Sequence, residues 1–158
     1  MMKKLLTLLV FALTVSTMSG CASMSMLPNT STEAEQKTLA EGDTGWASYR
    51  EISRFSDTTS DELIEAAKYG LGYSKFALTK VDKINGVVFG EHGMTLHDWN
   101  IIAAVYIIDK KDWFKVIVAA EGSKDIGFSG DATGGGWTGQ ILIGMREYLD
   151  KYRIKPIQ

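Results

Sequence analysis

The chain has 158 residues, which is enough for one domain with a hydrophobic core of its own. It contains a single cysteine, so intramolecular disulfide bonds cannot stabilise the fold. The formal net charge is −2 and the basic side chains form no run, which argues against nucleic-acid binding and against electrostatic attachment to anionic lipids.

Residues 1–20 have the composition of an export signal. A positive start is followed by an apolar run and then by small residues before the cysteine. In chain order these are Lys3, Lys4, the apolar run 5–15, Ser19, Gly20 and Cys21. A membrane-spanning helix needs roughly 20 apolar residues, and this run is shorter. The alternatives are an ordinary secretory signal that leaves a free thiol, an uncleaved anchor or a buried helix.

The order of these features resembles the lipobox signal peptide of bacterial lipoproteins, although Met18 stands where leucine is usual. The resemblance implies that a peptidase cleaves before Cys21 and that this cysteine is acylated. Each buried methylene contributes about 0.8 kcal/mol, so several acyl chains would hold the domain on a lipid bilayer. Ala22 follows the cysteine, and by the same resemblance the absence of aspartate there implies sorting to the outer membrane if the host has two membranes. The domain is then expected to face the periplasm.

After cleavage, residues 21–45 are expected to be a lipidated cysteine followed by a flexible tether. Few large apolar residues follow Leu27, so burial there could not offset the entropy of ordering the chain. A flexible chain of about 24 residues has an end-to-end distance of roughly 25–30 Å. Residues 33–41 could form a short helix, although one of that length is marginal by itself. Residues 46–158 would then form a single domain clear of the membrane.

An antiparallel sheet is predicted from apolar runs that turn signals separate. Residues 76–78 and 87–89 flank a turn that ends in Asn85-Gly86, a dipeptide typical of hairpins. The runs 101–108 and 113–120 flank a charged tight turn and predict the hairpin at the centre of the sheet. A less regular strand begins at Trp46, which gives five strands in total.

Two amphipathic helices are predicted around these strands. The tetrapeptide Thr59-Ser60-Asp61-Glu62 fits a capping box, and Gly70 and Gly72 are stop signals for the helix that it begins. In the final helix Ile141 and Met145 lie on one face. Each helix has one apolar face to bury. We therefore predict an α+β fold, a two-layer sandwich in which a mostly antiparallel sheet has two helices on one face.

Residues 122–139 contain seven glycines and lead into the final helix. Backbone N–H groups at a helix N-terminus can bind an anion. The candidate ligand-binding residues are accordingly Gly134, Gly135, Gly136, Trp137 and Thr138. The stretch matches neither the P-loop nor the dinucleotide-binding motif, so a flexible or tightly folded connection is favoured over an anion site. Trp137 could likewise fold back and close the end of the core.

The motifs for catalysis and for metal binding are weak. Ser129 lies in Gly-Phe-Ser-Gly-Asp, whose last residue departs from the nucleophile elbow. His92 and His97 are weak candidate zinc ligands, because five-residue spacing in a loop specifies no geometry. Asp125 and Asp131 match no calcium-binding loop. We therefore expect no enzymatic activity, no metal and no cofactor.

These observations favour a non-catalytic interaction or accessory module in the bacterial cell envelope. Its partners would be the lipid bilayer, through acylated Cys21, and another envelope protein, but no nucleic acid. Protein binding would use an apolar patch or a free strand edge on the sheet face that the helices leave open. The order of elements loosely resembles small α/β domains of envelope lipoproteins. The alternative function is a small-ligand or glycan binder with a concave pocket at residues 122–139.

Overall fold

The structure is a computed structural model that describes residues 24–37, 46–93, 101–123 and 136–152. Its elements are a 3₁₀ turn Met24–Met26, helix α1 Ser31–Gln36, strand β1 Trp46–Phe55, helix α2 Ser60–Tyr73, strands β2 Ala77–Asp82, β3 Val87–His92, β4 Ile101–Asp109 and β5 Phe114–Ser123, and helix α3 Gly136–Tyr152. None of the helices in these ranges is both long enough and apolar enough to cross a membrane. The export signal and Cys21 lie outside the described residues.

The five described strands form one antiparallel sheet in the order β1-β5-β4-β3-β2. Strands β4 and β5 pair from Ile101 opposite Gly122 to Asp109 opposite Phe114. Strand β1 pairs along its whole length with β5, so the first and last strands are neighbours. The predicted central hairpin is confirmed. Strand β4 is buried on both faces from its first residue to Ile107, which explains its continuous apolar run.

Helix α2 begins as the sequence predicts. The Thr59 hydroxyl accepts a hydrogen bond from the Glu62 backbone N–H at 3.2 Å, and the Glu62 carboxylate accepts one from the Thr59 N–H at 2.7 Å. Gly70, however, does not stop the helix, which continues to Tyr73. A Cβ at Gly70 would lie 2.4 Å from the Ile141 carbonyl oxygen. This glycine therefore allows α3 to approach closely.

Helices α2 and α3 cover the same face of the sheet. The strand side chains on this face alternate with those on the other, and together with the apolar sides of the two helices they form the larger core cluster. Its members include Leu63, Ala67 and Leu71 from α2, Ala103 and Val105 from β4, Val118 and Ala120 from β5, and Ile141 and Met145 from α3. The predicted α+β class, with two helices on one face of the sheet, is confirmed.

Residues 24–37, which we name the N-terminal segment, cover part of the opposite face. Leu27 is only 2% exposed and packs in a second core cluster with Phe89 and Tyr106. The Tyr106 hydroxyl donates a hydrogen bond to the Pro28 carbonyl at 2.8 Å. Residues 24–37 therefore do not form the flexible tether that we expected. The other proposed domain boundaries stay predictions.

Polar contacts also attach the N-terminal segment to the sheet. Glu35 of α1 pairs with the ammonium groups of Lys110 at 2.9 Å and Lys115 at 3.0 Å. The Arg50 guanidinium donates a hydrogen bond to the Lys37 carbonyl at 2.8 Å. Helix α1 has six residues and is capped by the Thr30 hydroxyl. Such a short helix is unstable alone, so contacts with the sheet stabilise it here.

Candidate functional site

Four tyrosines gather on the helix layer, and we name them the tyrosine patch: Tyr69 and Tyr73 from α2, and Tyr148 and Tyr152 from α3. Each helix contributes two rings one turn apart, because residues i and i+4 lie on the same side of a helix. The Tyr69 ring centroid is 5.7 Å from that of Tyr148 and 6.1 Å from that of Tyr152. Tyr73 and Tyr152 remain 49% and 58% exposed.

A close helix crossing brings the two pairs of rings together. A Cβ at Gly144 would lie 2.9 Å from the Gly70 Cα and 2.9 Å from the Tyr73 Cβ. Both glycines are buried within the helix pair. The absence of side chains at these two positions lets the helix backbones come close, and the flanking tyrosines meet across the crossing.

Charged side chains border the tyrosine patch. The Tyr69 hydroxyl donates a hydrogen bond to the Glu147 carboxylate at 3.4 Å. Lys151 also donates to Glu147, and this hydrogen bond lowers the pKa of that carboxyl. Desolvation raises the pKa of Tyr69, and the negative charge of Glu147 raises it further. Ile143 lies one turn before Glu147 and is 55% exposed. Exposed aromatic rings with a polar rim are typical of protein-binding surfaces.

The sheet face opposite the helices is not open where we expected it to be. In the described part of the chain, the N-terminal segment covers its centre. The N-terminal segment therefore occupies part of the face on which we expected a binding surface, and a surface on the rest of that face stays a prediction. The physical reason is that Leu27 and Ala34 bury apolar surface on the sheet that would otherwise face water.

The sheet edges are weaker candidates for binding. Strand β2 pairs only with β3 among the described strands and exposes Leu78 and Val81 by 45% and 41%. Its pairing register shifts between Leu78 and Lys80. Lys80 lies on the strand itself, and Lys83 lies in the turn that follows it. Irregular pairing and lysine side chains both oppose the addition of another strand.

The predicted ligand-binding residues fall at the start of α3. Gly136, Trp137 and Thr138 form its first turn, whereas Gly134 and Gly135 lie outside the described residues. Thr138 is buried at 2% exposure. The arrangement therefore brings part of the predicted set to one end of the sheet, next to the last residue of β3.

Trp137 packs against Phe76 and His92, and we name these three residues the His92 cluster. The Trp137 ring lies edge-on to Phe76 at 5.5 Å and 4.7 Å from the His92 ring. Trp137 thus folds back on the core, which was one of the two interpretations of the sequence. The cluster closes the end of the core beneath α3.

His92 is only 6% exposed, and its Nδ1 atom has no hydrogen-bond partner among the described residues. A buried polar atom without a partner costs about 1–3 kcal/mol. The described ranges contain no group of three side chains that could hold a metal ion. Those ranges do not include His97, Ser129, Asp125 or Asp131. What the sequence suggests about these four residues therefore stays a prediction.

Two shallow grooves lie away from the His92 cluster. One, of about 380 Å³, runs along the N-terminal segment between Ser25 and Lys37. The other, of about 350 Å³, lies between α1 and the turn after β2 and includes Lys83 and Phe114. Neither groove is lined by Trp137, so neither is the pocket that we expected at residues 122–139.

Comparisons with known proteins identify no family. No family model matches the chain, and no curated protein matches it. The solved structure titled "Crystal structure of Ara h 8.0201" is similar at 11% sequence identity and a TM-score of 0.45, covering 67% of this chain and 99% of that chain. A likeness at this level carries no argument about function, which is decided by the residues of a site.

Proposed function

We propose that the protein is anchored in the bacterial cell envelope by acylated Cys21 and binds a partner protein through the tyrosine patch. The observation that carries the proposal is the exposure of Tyr73 and Tyr152, at 49% and 58%, within a cluster of four rings. Tyrosine combines a large contact area with few rotatable bonds, so it loses little conformational entropy on binding.

The support for the anchor comes from the sequence. A positive start, an apolar run and small residues precede Cys21 in the order that resembles a lipobox. Ala22 supports location in the outer membrane of a host with two membranes by the same resemblance, and we propose that the domain faces the periplasm. The proposed role is non-catalytic, since the sequence motifs for nucleophilic and metal chemistry depart from their patterns.

The proposal is tested by placing a photo-crosslinking amino acid at single positions in the lipidated chain in its own envelope. Positions 73 and 152 probe the tyrosine patch. Positions 52 and 78 are matched controls, because Ile52 and Leu78 are 55% and 45% exposed on the two edges of the sheet. We expect one shared adduct from the patch positions and none of that mass from the controls.

The same experiment with Cys21→Ala tests whether the anchor matters. We expect the patch adduct to disappear when the chain is no longer held at the membrane. An adduct formed only from the control positions would reject the tyrosine patch as the binding surface. An adduct that persists in Cys21→Ala would reject the requirement for the anchor.

A second candidate function, the binding of a small ligand or glycan, has one observation in its favour. The Nδ1 of buried His92, for which the described residues supply no hydrogen-bond partner, belongs to a ring that contacts Trp137. A ligand with a hydrogen-bonding group could satisfy this atom and stack on the indole. The test is a ligand screen by tryptophan fluorescence. A true ligand changes the emission of the wild type but not of Trp137→Phe.

A further inference from the structure

We propose that the N-terminal segment faces the lipid bilayer at close range and that the tyrosine patch points away from it. This inference rests on the lipid anchor of the proposed function. It begins with the number of residues between the anchor and the fold. Cys21 and Met24 are three residues apart, so their Cα atoms are separated by at most about 11 Å even in a fully extended chain.

The start of the fold is attached to the sheet at Met24 and the residues after it. Met24 and Met26 pack against the second core cluster, and Leu27 is 2% exposed within it. The Tyr106 hydroxyl bonds to the Pro28 carbonyl, and Lys110 and Lys115 pair with Glu35. The part of the chain that can act as a tether is therefore three residues long, instead of the 25 that the sequence suggested.

A tether of this length restricts which side of the domain can approach the lipid. The N-terminal segment lies on one face of the sheet and the helices lie on the other. Packed layers of secondary structure are spaced by roughly 10 Å, so the segment and the helix layer are about 20 Å apart. A rotation that placed the helices on the membrane would need more tether than three residues supply.

The surface of the N-terminal segment is compatible with lipid headgroups. Its exposed side chains are mostly uncharged and polar, namely Ser25, Asn29, Thr32 and Gln36, together with Glu33 and Lys37. Such groups remain hydrated beside headgroups and need no electrostatic attraction. The short tether alone keeps this face at the membrane, and it leaves the tyrosine patch accessible to a partner in the aqueous compartment.

The test uses the full lipidated protein in vesicles of phosphatidylethanolamine and phosphatidylglycerol. One fluorophore is attached in Gln36→Cys, on the N-terminal segment, and in Asp150→Cys, on α3. Both native side chains are exposed, and acylation blocks the Cys21 thiol. A nitroxide on a lipid headgroup and iodide in solution then serve as the two quenchers.

We expect the headgroup nitroxide to quench the label at position 36 several-fold more than the label at position 150, and iodide to show the opposite order. Inserting about 20 glycine and serine residues between Ser23 and Met24 adds a reach of roughly 25 Å and should remove the difference. Equal quenching of the two labels without the insertion would overturn the inference, as would stronger headgroup quenching at position 150.

Flotation of the same vesicles separates a failure of this inference from a failure of the proposed function. If the protein floats with the vesicles but the two labels are quenched equally, the anchor stands and the orientation is wrong. If the protein does not float, the anchor at Cys21 and the orientation that depends on it are both rejected.

Discussion

Gly70 of α2 and Gly144 of α3 face each other so closely that a Cβ at Gly144 would lie 2.9 Å from the Gly70 Cα. Real Cβ atoms do not approach another atom this closely, so the two helices need glycine at this crossing. The same crossing brings Tyr69 and Tyr148 within 5.7 Å, centroid to centroid. Helix packing and the tyrosine patch therefore depend on one pair of residues.

Substitution at this crossing should destabilise the fold. In Gly70→Ala the new methyl would lie 2.4 Å from the Ile141 carbonyl oxygen, so the helices must separate. Overpacking of this kind costs about 1–3 kcal/mol. The measurement is the free energy of unfolding in urea.

Gly72→Ala is the matched control in the same helix, because nothing lies within 4 Å of its added Cβ. Alanine is a better helix former than glycine by roughly 0.5–1 kcal/mol, so this variant should be as stable as the wild type or more so. Equal destabilisation by both substitutions would contradict the close crossing.

Truncation of the exposed tyrosines should weaken partner binding without unfolding the domain. We expect Tyr73→Ala and Tyr152→Ala each to reduce the affinity for the crosslinked partner by about tenfold, as for interface hot spots. The thermal midpoint should change little, because both side chains are about half exposed. Leu78→Ala, on the sheet edge, should retain full affinity. The comparison is a binding titration with the purified partner.

Removal of the Tyr106 hydroxyl should loosen the N-terminal segment. Tyr106 is fully buried, burial raises its pKa, and its hydroxyl donates to the Pro28 carbonyl. Tyr106→Phe keeps the ring but leaves this carbonyl without its donor, at a cost of about 1–3 kcal/mol. We expect faster hydrogen exchange in residues 24–37 and unchanged exchange in α2. Tyr152→Phe, at an exposed position, should leave both regions as they are.

Acid should loosen the same segment through Glu35. Hydrogen bonds from Lys110 and Lys115 lower the pKa of this carboxyl below its ordinary value of 4.5. Because the pKa is lower in the folded state, the ion pairs stabilise the segment above pH 4.5. That stabilisation is lost as the pH falls through the lowered value. Hydrogen exchange in residues 24–37 should therefore accelerate at low pH.

Glu35→Gln separates this effect from general acid unfolding. The variant lacks the carboxylate at every pH, so exchange in residues 24–37 should already be faster at pH 7 and should change less on acidification. The same pH dependence in the variant and in the wild type would show that Glu35 is not the responsible group.

Replacement of His92 should show how its buried Nδ1, which bonds to no group in the described part of the chain, affects the stability of the fold. His92→Phe keeps an aromatic ring against Phe76 and Trp137 and removes the buried Nδ1. We expect the free energy of unfolding to rise by about 1 kcal/mol, because the variant no longer buries Nδ1, an atom without a hydrogen-bond partner among the described residues. A clear loss of stability would contradict this expectation.

Local chemistry by itself determined several elements of this protein. The Thr59 and Glu62 capping box starts α2, the Asn85-Gly86 turn joins β2 to β3, and the apolar runs that become β4 and β5 form the central hairpin. In each case the residues that decide the structure are close together in the chain. Side-chain spacing and backbone preference were therefore sufficient, and the fold class followed from them.

Only the tertiary structure decided the position of the N-terminal segment and the candidate site. Leu27 and Ala34 are too few to order a chain alone, but Phe89 and Tyr106 of the sheet supply the apolar surface that buries them. From the sequence alone, Gly70 is predicted to stop a helix. The structure shows instead that the absence of a side chain at Gly70 makes room for Ile141.

The tyrosine patch shows the same division between local and distant information. The four-residue spacing of Tyr69 and Tyr73, and of Tyr148 and Tyr152, is visible in the sequence. The contact between the two pairs is not, because it depends on how two helices cross that lie more than 60 residues apart in the chain. Burial and close approach are properties of surfaces that meet only after the chain has folded.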